Sequence, residues 1–77
     1  MKFSKCFMAA MKSQKMKQAD VAEKIGVKNE GVISSRMNMK NISVNVMIEM
    51  LDSIGYDLVI KPKDGVDGDS YTITIEE

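Results

Sequence analysis

Two short amphipathic segments separated by a single glycine, within residues 18–40 (QADVAEKIGVKNEGVISSRMNMK), constrain this chain more than any other stretch. In the first segment Val21, Ala22 and Ile25 fall at i, i+1 and i+4 and make one apolar stripe, while Gln18, Asp20, Glu23 and Lys24 face water. Ala22 is small enough for a second helix to cross close to it. Gly26 stands where the first helix has to end at positive φ, a conformation glycine reaches without steric cost. Val27 then anchors the turn, and a second helix follows with Val32, Ile33 and Met37 inward and polar side chains outward. Two helices joined at a steep angle through such a corner form a helix-turn-helix.

The spacing of Ala22, Gly26 and Val32, and the phrase QADVAEKIGV, resemble the helix-turn-helix of the Cro and lambda-repressor class, the XRE family. The resemblance spans roughly residues 5 to 58 and is best from 16 to 33 and from 41 to 58. NISVNVMIEMLDSIGYDLVI is similar to the closing helix and exit strand of phage-type regulators. Two positions depart from the pattern. Lys17 stands where the family opens its second helix with Ser or Thr, and Ser35 stands where an apolar residue is expected. The apolar register moves to Ile33 and Met37, as though the turn were one residue longer. The resemblance implies a motif whose second helix enters the DNA major groove. It also implies that Gln18 fixes the start of the preceding helix on the phosphate backbone.

Seventy-seven residues make one domain, near the lower size limit for folding without staples. A hydrophobic share of 44% is enough for a small core. The single cysteine cannot form a disulfide within the chain and argues for a reducing compartment, so a bacterial or phage-infected cytoplasm is the expected setting. No apolar run approaches the roughly 20 residues that span a bilayer, and the lysine-bearing start has no signal-peptide core. Net charge is zero, but its distribution is uneven. Residues 1–41 carry nine Lys/Arg and three Asp/Glu, a balance of +6; residues 42–77 carry two and eight, a balance of −6. Such asymmetry points to one region that meets polyanions, and the helix-turn-helix lies inside it.

Residues 3–14 read as a first helix, with Phe3, Phe7 and Met11 at i, i+4 and i+8 and Cys6 and Ala10 beside them; Ser4 is a candidate cap. Cys6 reads as a small buried hydrophobe, since there is no histidine or second cysteine to make it a metal or redox site. Met16 packs back on the core ahead of the next helix. Lys17 and Gln18 open that helix, whose free N–H groups suit a phosphate. Lys28, Asn29 and Glu30 lie at the turn exit, where Asn can bond adenine, Lys guanine and Glu cytosine. Gly31 weakens the helix by about 1 kcal/mol relative to Ala, which a close approach to DNA or to the preceding helix would explain. Ser34, Ser35 and Arg36 continue the exposed side. Arg36 is the strongest single candidate for a DNA contact, the competing reading being a surface ion pair. Asn38 and Lys40, with Asn41, form a loop able to reach phosphates.

Ser43 caps a fourth helix, on which Asn45, Glu49 and Asp52 make a wet line and Val44, Val46, Met47, Ile48, Met50, Leu51 and Ile54 fill the rest. A face this wide suggests cover from another subunit or from the tail. Gly55 ends the helix. Residues 57–61 are strand-like and residues 70–77 alternate strictly, so 57–77 reads as an antiparallel hairpin around a Gly/Asp-rich loop. DGVDGD lacks the 12-residue calcium-loop pattern and reads as a turn. The expected architecture is therefore mainly α with a C-terminal β-hairpin: four short helices in 1–56 and a two-stranded ribbon in 57–77. An isolated ribbon is marginal in water, and a second copy is the economical cover. Met47, Met50, Leu58, Ile60, Tyr71, Ile73 and Ile75 are the expected dimer contacts.

Three function classes follow. The leading one is a sequence-specific regulator that binds a palindromic site in double-stranded DNA as a homodimer. The second is a protein-interaction module, antitoxin-like or a phage inhibitor, using the Met-rich fourth helix or the ribbon. An enzyme is the weakest, because no histidine, metal constellation, phosphate-binding glycine loop or Ser/His/Asp set is present. No cofactor or metal is implied.

Overall fold

A computed structural model describes residues 2–75. Four helices, α1 (Phe3–Ser13), α2 (Gln18–Ile25), α3 (Glu30–Met37) and α4 (Val44–Ser53), precede two antiparallel strands, β1 (Leu58–Ile60) and β2 (Tyr71–Ile73). The chain is mainly helical with a C-terminal two-stranded sheet, as the periodicities indicate.

One core joins all four helices. Phe7, Ala10 and Met11 from α1 meet Val21 and Ala22 from α2, Ile33 and Met37 from α3, and Met50, Leu51 and Ile54 at the end of α4. The stripe of α2 and the shifted register of α3 are thus both realised: Ile33 is fully buried, and Val32 is only half-buried. α2 is central, packing against α3 on one side and α4 on the other. Phe3 stacks on Phe7 with ring centroids 5.6 Å apart, and Met16 is half-buried against the core ahead of α2.

Helix endings set the corners. Gly26 closes α2 at φ +87°, with the Val27 N–H reaching back to the Ala22 carbonyl at 3.0 Å. Gly55 plays the same part after α4 at φ +78°, where the Tyr56 N–H reaches the Leu51 carbonyl at 2.9 Å. α1 ends with the same closure on a lysine: Lys15 sits at φ +56° while the Met16 N–H bonds the Met11 carbonyl at 2.9 Å. At the helix starts, the Ser43 hydroxyl accepts from the Val46 N–H, as its position suggests. Ser4 does not cap α1; Lys2 holds the cap position without a side-chain bond.

Two expectations need correction. Cys6 is exposed, because the inward stripe of α1 runs through Phe7, Ala10 and Met11 and leaves Cys6 to its side. Met50, expected at a subunit contact, is 0% exposed in this chain's own core and cannot touch a partner. The wide apolar face of α4 is covered from within the chain, in part by the tail as one of the two expected covers: β1 packs on the helix, and Ile48, Met50 and Leu51 are buried. Of that face Val44 stays exposed, and Met47 lies with Phe3, Met37 and Ile42 along a cleft of about 530 Å³.

The strands are three residues each, shorter than the alternation suggests. Pro62, which has no N–H for the ladder, follows two residues after β1, and Gly65 turns the loop at φ +84°. Glu76, expected on the polar side of the second strand, lies outside the described residues. Leu58 faces Ile73, Val59 faces Thr72 and Ile60 faces Tyr71. Alternation therefore places Leu58, Ile60, Tyr71 and Ile73 on one side of the ribbon. Leu58 rests on the helical core and Ile73 is half-buried, whereas Ile60 and Tyr71 are 57% and 62% exposed. No helix among the described residues is long and apolar enough to cross a membrane.

Candidate nucleic-acid interface

The candidate site is built from the start of α2, the corner, the outward side of α3 and the loop behind it. Lys17 is the cap residue of α2, and its backbone N–H donates to the Asp20 carboxylate at 2.8 Å. A lysine side chain has no acceptor, so it cannot close the reciprocal half of a capping box and its ammonium stays in water. Gln18 follows, half-buried as the first helical residue. Lys28 is exposed between the corner and α3.

Asn29 is the cap of α3. Its Oδ1 accepts from the Gly31 N–H at 2.9 Å, leaving the second lone pair of that oxygen and the Nδ2 group for an outside partner. Bidentate reading of adenine needs both amide atoms, so Asn29 reads in that way either by sharing Oδ1 between base and cap or by giving up the cap. The same bond accounts for Gly31: a Cβ there would sit 2.9 Å from Asn29 Oδ1. The glycine makes room for the cap. Glu30 is exposed in the first turn, where an acid complements the helix dipole.

Along α3, Ser35 is exposed and Ser34 half-buried. Arg36 leans toward α4, where its Nη1 donates to Glu49 Oε1 at 2.9 Å. This is the one ion pair among the described residues. The pairing foreseen as the competing reading of Arg36 is thus present. Asn38 closes α3, its Nδ2 donating to the Ser34 carbonyl at 2.9 Å, and Lys40 is exposed in the loop beyond. The site therefore presents lysines at three helix ends, Lys17, Lys28 and Lys40, while the side chains best suited to base edges hold bonds inside the chain. Among the expected dimer residues, Ile60, Tyr71 and Ile75 are exposed, Met47, Leu58 and Ile73 are half-buried, and Met50 is buried.

Two participants were not assigned from sequence. Glu49 reads as one more member of the wet line of α4, and nothing in its spacing points to Arg36 across 13 residues. The capping role of Asn29 does have a signal: an Asn directly before Glu at the start of a helical pattern. Comparison of the chain with family models, with curated protein sequences and with solved structures finds no match. Any functional reading rests on the residues and geometry of this chain.

Proposed function

We propose that the chain is a small DNA-binding regulator of the Cro and lambda-repressor kind, acting as a twofold dimer in a cytoplasmic setting. The observation that carries this reading is the Gly26 corner. A left-handed glycine joins α2 to α3, α2 packs against α3, and the outward residues of α3 stay in water within the basic half of the chain. In this reading Lys17, Lys28, Asn38 and Lys40 contact phosphates, Gln18 and the start of α2 fix the register, and Asn29, Glu30, Ser34 and Ser35 lie toward the groove. A single such module makes few contacts. Pairing through the ribbon, with Ile60, Tyr71 and Ile75 covered and Met47 or Leu58 at the edge, brings two copies of α3 to successive major-groove faces about 34 Å apart.

The test is an anisotropy titration of the full chain against duplex DNA with Lys28→Gln, Lys40→Gln and the double substitution. Each lost phosphate contact lowers the slope of log K against log salt by about 0.9, while far-UV dichroism stays unchanged. Equal slopes for all four proteins remove these lysines from the site.

The exposed Ile60 and Tyr71 also favour a second reading, a protein-interaction module that uses the ribbon rather than the largely buried face of α4. Recovery of one stoichiometric protein partner from the source cell, with no duplex binding by the purified chain, selects that reading.

A further inference from the structure

The ion pair between α3 and α4 separates Arg36 from every other cation of the basic half. Lys17, Lys28 and Lys40 are exposed and in no ion pair among the described residues, whereas the Arg36 side chain is 24% exposed and donates through Nη1 to Glu49. Glu49 itself is 47% exposed, so the guanidinium is the more sheltered partner. To a guanidinium, a carboxylate oxygen and a phosphate oxygen are acceptors of the same kind, both charged and both able to take its parallel N–H groups.

Resting on the DNA-binding reading above, we infer that Glu49 is a positioning residue that competes with DNA phosphate for Arg36. It holds the arginine against α4 and leaves general attraction to the duplex to the lysines. The competition is weak by design of the site. An exposed or partly exposed pair shifts an equilibrium by a factor of about 1.4 to 5. That is small enough for a well-placed phosphate to take the arginine over, and large enough to lower binding wherever the arginine has to leave Glu49 to reach one. The placement of α3 and α4 does not rest on the pair alone, because α2 packs against both helices.

The test measures five full-length proteins on one 20-base-pair duplex of random sequence over a series of potassium chloride concentrations: wild type, Glu49→Gln, Arg36→Gln, the double variant, and Asp52→Asn. The last makes the same change of charge one turn along α4. Thermal melting followed by dichroism checks that each is folded. Glu49→Gln is expected to raise affinity about two- to fivefold at low salt and to steepen the salt slope by about 0.9. Arg36→Gln is expected to leave the wild-type slope unchanged and to abolish the effect of Glu49→Gln. Asp52→Asn is expected to leave the slope as it is. Two results overturn the inference: a flatter slope for Arg36→Gln alone, which puts Arg36 on a phosphate already, or an equal Glu49→Gln effect in both backgrounds. Absence of salt-dependent binding by all five overturns the DNA reading and the inference with it.

Discussion

Asn29 and Gly31 should behave as one unit, and the energies involved are large enough to measure. Replacing an Asn cap by Ala costs about 1 kcal/mol, within a range of about 0.5–2. Gly31→Ala alone gains up to about 1 kcal/mol in helix propensity. The new Cβ, however, arrives 2.9 Å from Asn29 Oδ1 and forces the amide out of its bond. Gain and loss are of similar size, so Gly31→Ala is expected to be nearly neutral in the wild-type chain. In the Asn29→Ala background there is no oxygen to displace, and the same substitution should stabilise by up to about 1 kcal/mol. The coupling in a double-mutant cycle is therefore about 1 kcal/mol. Urea unfolding followed at 222 nm reads it, provided the m-value is shared by the four proteins. A full gain from Gly31→Ala in both backgrounds refutes the reasoning, because it shows that Asn29 does not hold the start of α3.

Three further outcomes follow from particular positions. Lys15→Gly relieves a left-handed lysine at a cost of about 1–2 kcal/mol, less about 0.4–1 kcal/mol lost to the freer unfolded chain, so it should raise the melting temperature by a few degrees; an unchanged or lower midpoint contradicts that. The Ser13 hydroxyl gives its only proton to the Ala10 carbonyl, so Tyr56 must donate across the 2.6 Å contact to Ser13 Oγ. Tyr56→Phe should cost about 0.5–1 kcal/mol in the same urea assay, with no loss if that clasp is idle. Ile60→Lys should shift sedimentation equilibrium from dimer to monomer and lower the melting midpoint, since the partner that binds only the folded chain is lost; a wild type that is already monomeric at micromolar concentration removes the ribbon from dimerisation.

The elements of this chain were legible because their signals are local. Gly26 and Gly55 mark helix ends by a conformation that only glycine adopts freely, Ser43 marks a start, and the stripes Phe3–Phe7–Met11 and Val21–Ala22–Ile25 repeat at helical spacing. The shift of the buried register to Ile33 and Met37 was also readable, since Ser35 cannot replace an apolar side chain in a core. What escaped depends on the third dimension. Met50 and Met47 are alike in sequence, yet only the packing of α2 and β1 on α4 decides which is covered. Cys6 looks buried by hydropathy and is exposed by angle. Arg36 was recognised as strong, but its partner on another helix has no sequence signature. Of the candidate site, the lysines, the corner and the cap at Asn29 have local signals; the partners of Arg36 and Asn38 do not.

The most direct test is selection of bound duplexes from a random DNA pool by the full-length chain, followed by salt titration on the enriched sequence. The account predicts an inverted repeat whose half-sites are centred about 10 base pairs apart, bound with an affinity that falls steeply with salt. A pool that stays random through repeated rounds, with no salt-dependent retention of any duplex, contradicts it.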